Sequence, residues 1–210
     1  MPHHSNKSDK PYSQPCENNK NAILEKLNEV FNCSKNILEI GSGTGQHAVH
    51  FAKYLSHLQW QTSDLPVNHR GIQQWIDESK LLNIQSPITI DLSNLNSANS
   101  TIAKVDIVDG VFSANTLHII SVDLVKAFFK LVASVLSSKQ ALVVYGPFNY
   151  DGRYTNESNE GFDLWLKDKD SQSGIRDIEF ITEQAKANEL SLESDFEMPA
   201  NNRLLVLRKL

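Results

Sequence analysis

The sequence predicts an α/β fold: a doubly wound, Rossmann-like sheet of seven strands whose last two form an antiparallel hairpin. Three observations predict it. Short apolar runs alternate with stretches of helical period over most of the chain, the pattern of a parallel sheet whose crossovers are helices. One early run, Ile37-Leu38-Glu39-Ile40, passes into a turn with glycine at every second position, Gly41-Ser42-Gly43-Thr44-Gly45, and then into a helix. Strand, glycine turn and helix bring bare N–H groups against a ligand at a helix N-terminus. The chain then closes on two strands joined by turn formers, in place of another strand–helix unit.

Taken in order, residues 1 to about 15 are polar and rich in Ser, Asn and Pro, and are expected to form a flexible tail. His3 and His4 within it are expected to be solvated. Residues 16–210 are then a single domain. Ile23, Leu27, Val30 and Phe31 make the apolar stripe of a first helix ending near Asn32, with Asn19 and Lys20 at its start either reaching over a ligand or simply solvated. Strand one covers about 36–40. The next helix, about 46–56, carries Ala48, Phe51, Ala52 and Leu55 at i, i+3, i+4 and i+7. Strand two, 59–64, ends in Asp64 and leads to a helix carrying Ile72, Trp75 and Ile76. Strand three, 87–92, ends at Asp91-Leu92, and a weak helix over 93–103 follows. Strand four, about 107–112, is loosened by Asp109 and Gly110 and runs into a segment containing Asn115 and His118. Leu124, Phe128, Leu131, Val132 and Val135 then give a strong amphipathic helix, its face widened by Phe129 and Leu136. Strand five, 141–145, is continuously apolar, as in a buried parallel strand, and ends at Tyr145. The irregular stretch 147–175 holds Tyr150, Tyr154, Phe162, Trp165 and a short helix near 161–167. It reads as an ordered lid, or as that helix packed on the sheet. A helix over 177–188 and strands at 190–196 and 203–208 complete the chain.

The spacing of the glycines selects the ligand. A dinucleotide fingerprint needs G-x-G-x-x-G, and Gln46 stands where its third glycine would be; no Gly-Lys-Ser/Thr follows to make a triphosphate loop. Glu39 with the three glycines gives E-x-G-x-G-x-G, which resembles the first motif of class I S-adenosylmethionine-dependent methyltransferases. The alternative is a turn that merely lets a helix pack on a strand. Asp64 lies 19 residues after Gly45, near the interval at which an acid reaches ribose hydroxyls, or else it caps the following helix. In the methyltransferase pattern the acid after strand three, Asp91, accepts from the adenine amino group while Leu92 packs on the ring; a helix cap is again the alternative. The end of strand four opens toward the transferred methyl group in that topology. His118 there either orients or deprotonates an acceptor or is a hydrogen-bonded strand-end histidine, and Asn115 offers a carbonyl near the sulfonium. The terminal hairpin is the methyltransferase ending of the doubly wound sheet, so the expected architecture is the class I methyltransferase fold.

Beyond that class, the chain resembles the methyltransferase-like 26 family. The resemblance rests on Ile37 to Ala48, Trp60-Gln61-Thr62-Ser63-Asp64, Tyr145-Gly146-Pro147-Phe148, Ser158-Asn159-Glu160-Gly161-Phe162-Asp163-Leu164, Gly174-Ile175-Arg176-Asp177 and Met198-Pro199-Ala200-Asn201-Asn202. Asn188 departs from it, standing where relatives often have glycine. The resemblance implies a class I fold and S-adenosyl-L-methionine as cofactor, but no particular acceptor. The expected cofactor residues are Glu39, Gly41, Ser42, Gly43, Gly45, Gln46 and His47 around the methionine part, then Asp64, Asp91, Leu92 and Asn115. His118 and Tyr145 are the expected catalytic residues, with the acceptor entering near Phe162.

Composition narrows the partners. The formal net charge is −5 and no Lys/Arg run is present, which argues against nucleic acid. No stretch is long and apolar enough to span a membrane, and the N-terminus lacks the apolar core of a signal peptide. Cys16 and Cys33 form no C-x-x-C, so reduced thiols in the cytoplasm are expected, with no metal site. A small molecule is the first expectation for the acceptor and a protein side chain the second, while a module that binds the cofactor without catalysis remains a rival. Oligomeric state is not legible.

Overall fold

The computed structural model describes residues 10–95 and 105–210. Its elements are α1 (Gln14–Val30), β1 (Asn36–Glu39), α2 (Gln46–Tyr54), β2 (Gln59–Asp64), α3 (Pro66–Ser79), β3 (Ile84–Thr89), β4 (Val108–Ala114), α4 (Val122–Val135) and β5 (Leu136–Gly146). They continue with β6 (Phe148–Asn149), α5 (Glu157–Lys169), β7 (Arg176–Asp177), α6 (Ile178–Ala187), β8 (Leu190–Met198) and β9 (Asn202–Lys209). Seven strands form one sheet in the order β3-β2-β1-β4-β5-β9-β8. The first five are parallel, and β9 runs antiparallel to both β5 and β8. The expected doubly wound sheet with its terminal hairpin is therefore present.

Helices cover both faces because the buried strands are apolar on both sides. One face packs Phe128, Phe129 and Val132 of α4 and Ile181 of α6 against Val111, Leu142 and Val144. The other packs Ile23 and Leu27 of α1 and Phe51 of α2 against Ile37, Trp60, Phe112 and Val143. Strand period two divides the sheet between these cores. Val144 therefore faces α4, whereas Tyr145 faces α1.

Several expected boundaries are corrected. β3 starts at Ile84 instead of 87, because an edge strand carries polar residues such as Gln85 and Ser86 on its open side. Pro87, with no N–H to give, falls where the register with β2 shifts. Leu136 is not the end of a helix: its backbone is extended, it pairs with Val108, and β5 begins there without a loop. Helix α5 spans Glu157–Lys169, longer than expected, with Asn156 capping it by accepting from the Asn159 N–H at 2.9 Å. The pair β6–β7 was not anticipated. Most of the weak helix expected at 93–103 lies outside the described residues, as do His3 and His4. The tail expected to run to 15 does not. Trp75 donates to the Pro11 carbonyl at 2.8 Å, Pro11 packs over Gly71 where a Cβ would sit 2.5 Å from its ring, and Ser13 caps α1.

Candidate functional site

A cavity of about 700 Å³ opens at the carboxyl ends of the central strands, where the strand order reverses between β1 and β4. The glycine turn forms its floor. Gly41, Gly43 and Gly45 all have positive φ (78°, 57° and 88°). A Cβ on Gly41 would stand 2.7 Å from Thr116 Oγ1, and one on Gly45 3.0 Å from the Ile72 backbone; above Gly43 there is open space. The N–H groups of Gly41 and Ser42 donate to the Ser63 carbonyl at 3.1 and 2.9 Å, which fixes the turn across the end of β2.

Gly41, Ser42, Gly43 and His47 line the cavity as expected, but Glu39, Gly45 and Gln46 do not. Glu39 points into the core, where its carboxylate accepts from Ser42 Oγ at 2.8 Å and from Trp60 Nε1 at 3.1 Å. Burial raises its pKa to about 7. Glu39 thus braces the turn from beneath. Gly45 packs on α3. Gln46 ties α2 to α1, accepting from Thr44 Oγ1 at 3.1 Å and donating to Glu17 Oε1 at 2.9 Å. His47 stacks on Phe51 and bonds Asn19 Oδ1 through Nε2 at 2.7 Å. Burial first, then nearby His50, lowers its pKa to about 4, so the ring is neutral near pH 7.

Asp64 and Asp91 both face the cavity. Asp64 Oδ2 accepts from the Gly43 N–H at 2.7 Å, while Oδ1 accepts from the Leu65 N–H at 2.7 Å and Asn68 Nδ2 at 2.8 Å. It does not cap α3, whose N-cap is Leu65. A carboxylate has about four acceptor positions, so one hydroxyl fits beside these bonds and a second would displace one. Asp91 uses Oδ1 alone among the described residues, for the Ser93 N–H at 2.9 Å and the Ser93 hydroxyl at 2.6 Å. Leu92 and Asn115 also line the cavity. Asn115 sits at φ 56°, its N–H donating to the Tyr145 carbonyl at 2.8 Å.

His118 is buried, lines the cavity and meets Phe162 edge to face at 5.4 Å. Its backbone is pinned by Gly174, which donates to its carbonyl at 2.8 Å, but its ring has no hydrogen-bond partner among the described residues. Burial, and then Arg176, lower its pKa to about 4. It is a neutral imidazole with a nitrogen to spare. Tyr145, the other expected catalytic residue, does not line the cavity. Its ring faces the α1 core and its hydroxyl lies against the amides of Asn19 and Asn202, with burial raising its pKa.

The remaining wall was largely missed from the sequence. It draws Ser13, Cys16 and Asn19 from α1, Asn68 and Thr116 from near the strand ends, Ser158 and Asn159 from α5, and Ala200 and Asn202 from the β8–β9 turn. Asn19 is the exception: of the two readings the sequence allows, it is buried and lines the cavity instead of being solvated, four residues before Ile23 and eight before Leu27 on the buried stripe. Met198-Pro199-Ala200-Asn201-Asn202 is expected only as the turn of the terminal hairpin, with no part in a site, and it does join β8 to β9. The structure brings it to the cavity with Ala200 and Asn201 both at φ 57°. That is an uncommon conformation for alanine. Asn159 Nδ2 secures it by donating to the Asn201 carbonyl at 3.3 Å. Among the described residues no three or more His, Cys, Asp or Glu side chains gather as metal ligands, and no helix is long and apolar enough to cross a membrane.

Solved structures share this architecture. An O-methyltransferase family protein from Burkholderia thailandensis superposes with a TM-score of 0.76 at 15% identity, over 90% of this chain and 56% of its own. The mitomycin 7-O-methyltransferase MmcR gives 0.73 at 16% over 90% and 54%, and PigF, solved with SAH, 0.73 at 11% over 89% and 54%. At such identities the likeness establishes the class I methyltransferase fold, and the chain spans little more than half the length of these proteins. The family described as a protein of unknown function, DUF938, matches residues 10–209, and the chain belongs to that family.

Proposed function

We propose that this protein is an S-adenosylmethionine-dependent methyltransferase acting on a small-molecule acceptor, and a methyltransferase-like 26 protein within its family. The observation that carries the proposal is one continuous cavity joining the open glycine turn and two carboxylates to a wall bearing an unpartnered imidazole. The residues fit the cofactor. Open space above Gly43 leaves a cradle for its methionine part, Asp64 has one acceptor position left for ribose, and Asp91, whose Oδ2 has no partner among the described residues, would accept from adenine beside Leu92. When bound, S-adenosylmethionine supplies a methyl carbon on a sulfonium, and the breaking S–C bond leaves its electron pair on sulfur.

The chain's own work is to position the acceptor and exclude water. His118 takes the proton that an un-ionised acceptor atom loses as its bond to the methyl carbon forms, and passes it to water. Its lowered pKa keeps the ring unprotonated near pH 7, and so able to accept a proton. Residues 16–210 act as one catalytic domain, with 147–175 as the cover over the acceptor. The free thiols Cys16 and Cys33 suit the reducing cytoplasm. The likeness to small-molecule O-methyltransferases supports this reading above a protein side-chain acceptor.

The test has two steps. Thermal stability is measured with S-adenosylmethionine, S-adenosylhomocysteine and NAD; stabilisation by the first two is expected, and by NAD alone would overturn the reading. The protein is then offered a metabolite extract with labelled methyl donor. Donor binding without label transfer would leave a non-catalytic binding module.

A further inference from the structure

We infer that the acceptor is an uncharged molecule with a flat apolar body and a hydrogen-bonding edge, because the rest of the cavity wall offers it, among the described residues, neutral amides, an imidazole and a phenyl ring but no ion. This rests on the methyltransferase reading above and says which acceptors that site can take. Among the described residues the only acidic or basic side chains lining the cavity, histidines apart, are Asp64 and Asp91. Both stand at the strand ends assigned to ribose and adenine. The lining histidines, His47 and His118, are neutral near pH 7.

The ions packed behind the acceptor wall are bound within the protein. Asp163, one helical turn from Asn159, accepts from Tyr154 Oη at 2.7 Å, Lys167 Nζ at 2.6 Å and the Ile175 N–H at 2.6 Å. The Arg176 guanidinium donates to the carbonyls of Leu117, Ile120 and Gln172. Glu17, beside Cys16, pairs with Lys20 and accepts from Gln46. None of them lines the cavity, so a carboxylate, phosphate or ammonium brought there would lose its water and gain no counter-charge. Such a penalty is large enough to exclude it by roughly 100-fold or more.

What the wall does offer is specific. Asn159 is buried and spends its NH₂ on Thr155 Oγ1 and the Asn201 carbonyl, which leaves its own carbonyl oxygen to accept from an O–H or N–H. Asn19, whose Oδ1 bonds His47, and Asn202, whose Nδ2 donates to the Pro199 and Ala200 carbonyls, add two further amides to the lining. Phe162, its ring stacked on Trp165 at 5.9 Å, lines the cavity with Leu124 and Pro147 and gives it a flat aromatic ring and apolar surface. Amides discriminate by paired hydrogen bonds, and an acceptor lacking the matching groups would strand them unpaired.

The experiment uses the full chain with labelled S-adenosylmethionine and an extract separated by ion exchange into anionic, cationic and neutral small-molecule pools, with macromolecules kept as a fourth. Label is expected in the neutral pool. Label chiefly in an ionic pool or on macromolecules overturns the inference, and so does no label anywhere when calorimetry shows the donor bound. Failure to bind the donor is a different result and sinks the methyltransferase reading itself. With the neutral-pool acceptor, Asn159→Leu should lower kcat/KM by about tenfold while donor affinity is unchanged; an unchanged kcat/KM would remove the amide edge from recognition.

Discussion

The two walls of the cavity are made in opposite ways. The wall proposed to hold the donor is local: one turn at 41–43, braced by Glu39 beneath it, and single acids at the end of β2 and in the loop after β3, with backbone groups and carboxylates as its tools. The wall proposed to meet the acceptor is assembled from the start of α1, the loop after β4, helix α5 and the β8–β9 turn, and its tools are neutral amides, imidazole and an aromatic ring. The contrast teaches that a fixed, polar ligand can be met by a short motif, whereas a wall that sets specificity is free to be drawn from anywhere the fold brings together.

That division of labour breaks most visibly at His118. His118→Ala should lower kcat by about 100-fold or more, the usual contribution of a positioned acid–base group, with no change in donor affinity by calorimetry. A weakened donor affinity would mean that the walls are not separate.

The next largest effect is on stability. Glu39 has a raised folded pKa, so the folded state holds its proton more tightly than the unfolded chain. Stability from this group is full below about pH 4.5 and falls as pH rises to about 7, by roughly 3 kcal/mol at about 1.4 kcal/mol per unit. His47 and His118, with lowered pKa values, work the other way, adding stability as pH rises from about 4 to 6.5. Glu39→Gln keeps an acceptor for Ser42 and Trp60 but cannot ionise. Denaturant titrations should therefore show the variant gaining on the parent protein steadily between pH 4.5 and 7. Parallel pH profiles would place the Glu39 charge in contact with water.

A third test sharpens the donor wall. Asp64→Ala should weaken S-adenosylmethionine binding by roughly 10- to 100-fold, because it removes the proposed ribose partner and also frees the Gly43 N–H and Asn68 amide that it holds. Unchanged affinity would leave Asp64 as a brace for the turn.

The same contrast explains what the sequence could disclose. The order of elements, the glycine turn and the terminal hairpin are written in local periodicity, and Asp64 and Asp91 follow from their places after strands. Edge strand β3 was misplaced because solvent contact removes the apolar signal that marks a strand. Glu39 and Gln46 were read as ligands since motif proximity does not say which way a side chain turns; one supports the turn and the other ties two helices. The segment 198–202 was legible as the hairpin turn but not as part of the cavity, because only the antiparallel pairing of β9 with β5 and β8 returns it to the carboxyl end of β5.

Tyr145 offers the smallest and most discriminating test. Its position at the end of β5 suggested chemistry, but alternation along the strand turns it toward α1, where its hydroxyl stands between Asn19 and Asn202. Those two amides come from opposite ends of the chain, and each has another partner: Asn19 bonds His47, and Asn202 donates within its own turn. Tyr145→Phe keeps the ring and its packing and removes only that oxygen, a loss of about 1 kcal/mol per hydrogen bond. A positioning role requires the acceptor KM to rise by roughly fivefold, with kcat, its pH profile and donor affinity unchanged. If kcat fell and its pH dependence moved instead, the hydroxyl would be reaching the reacting atoms, and Tyr145 would return to the catalytic side of the wall.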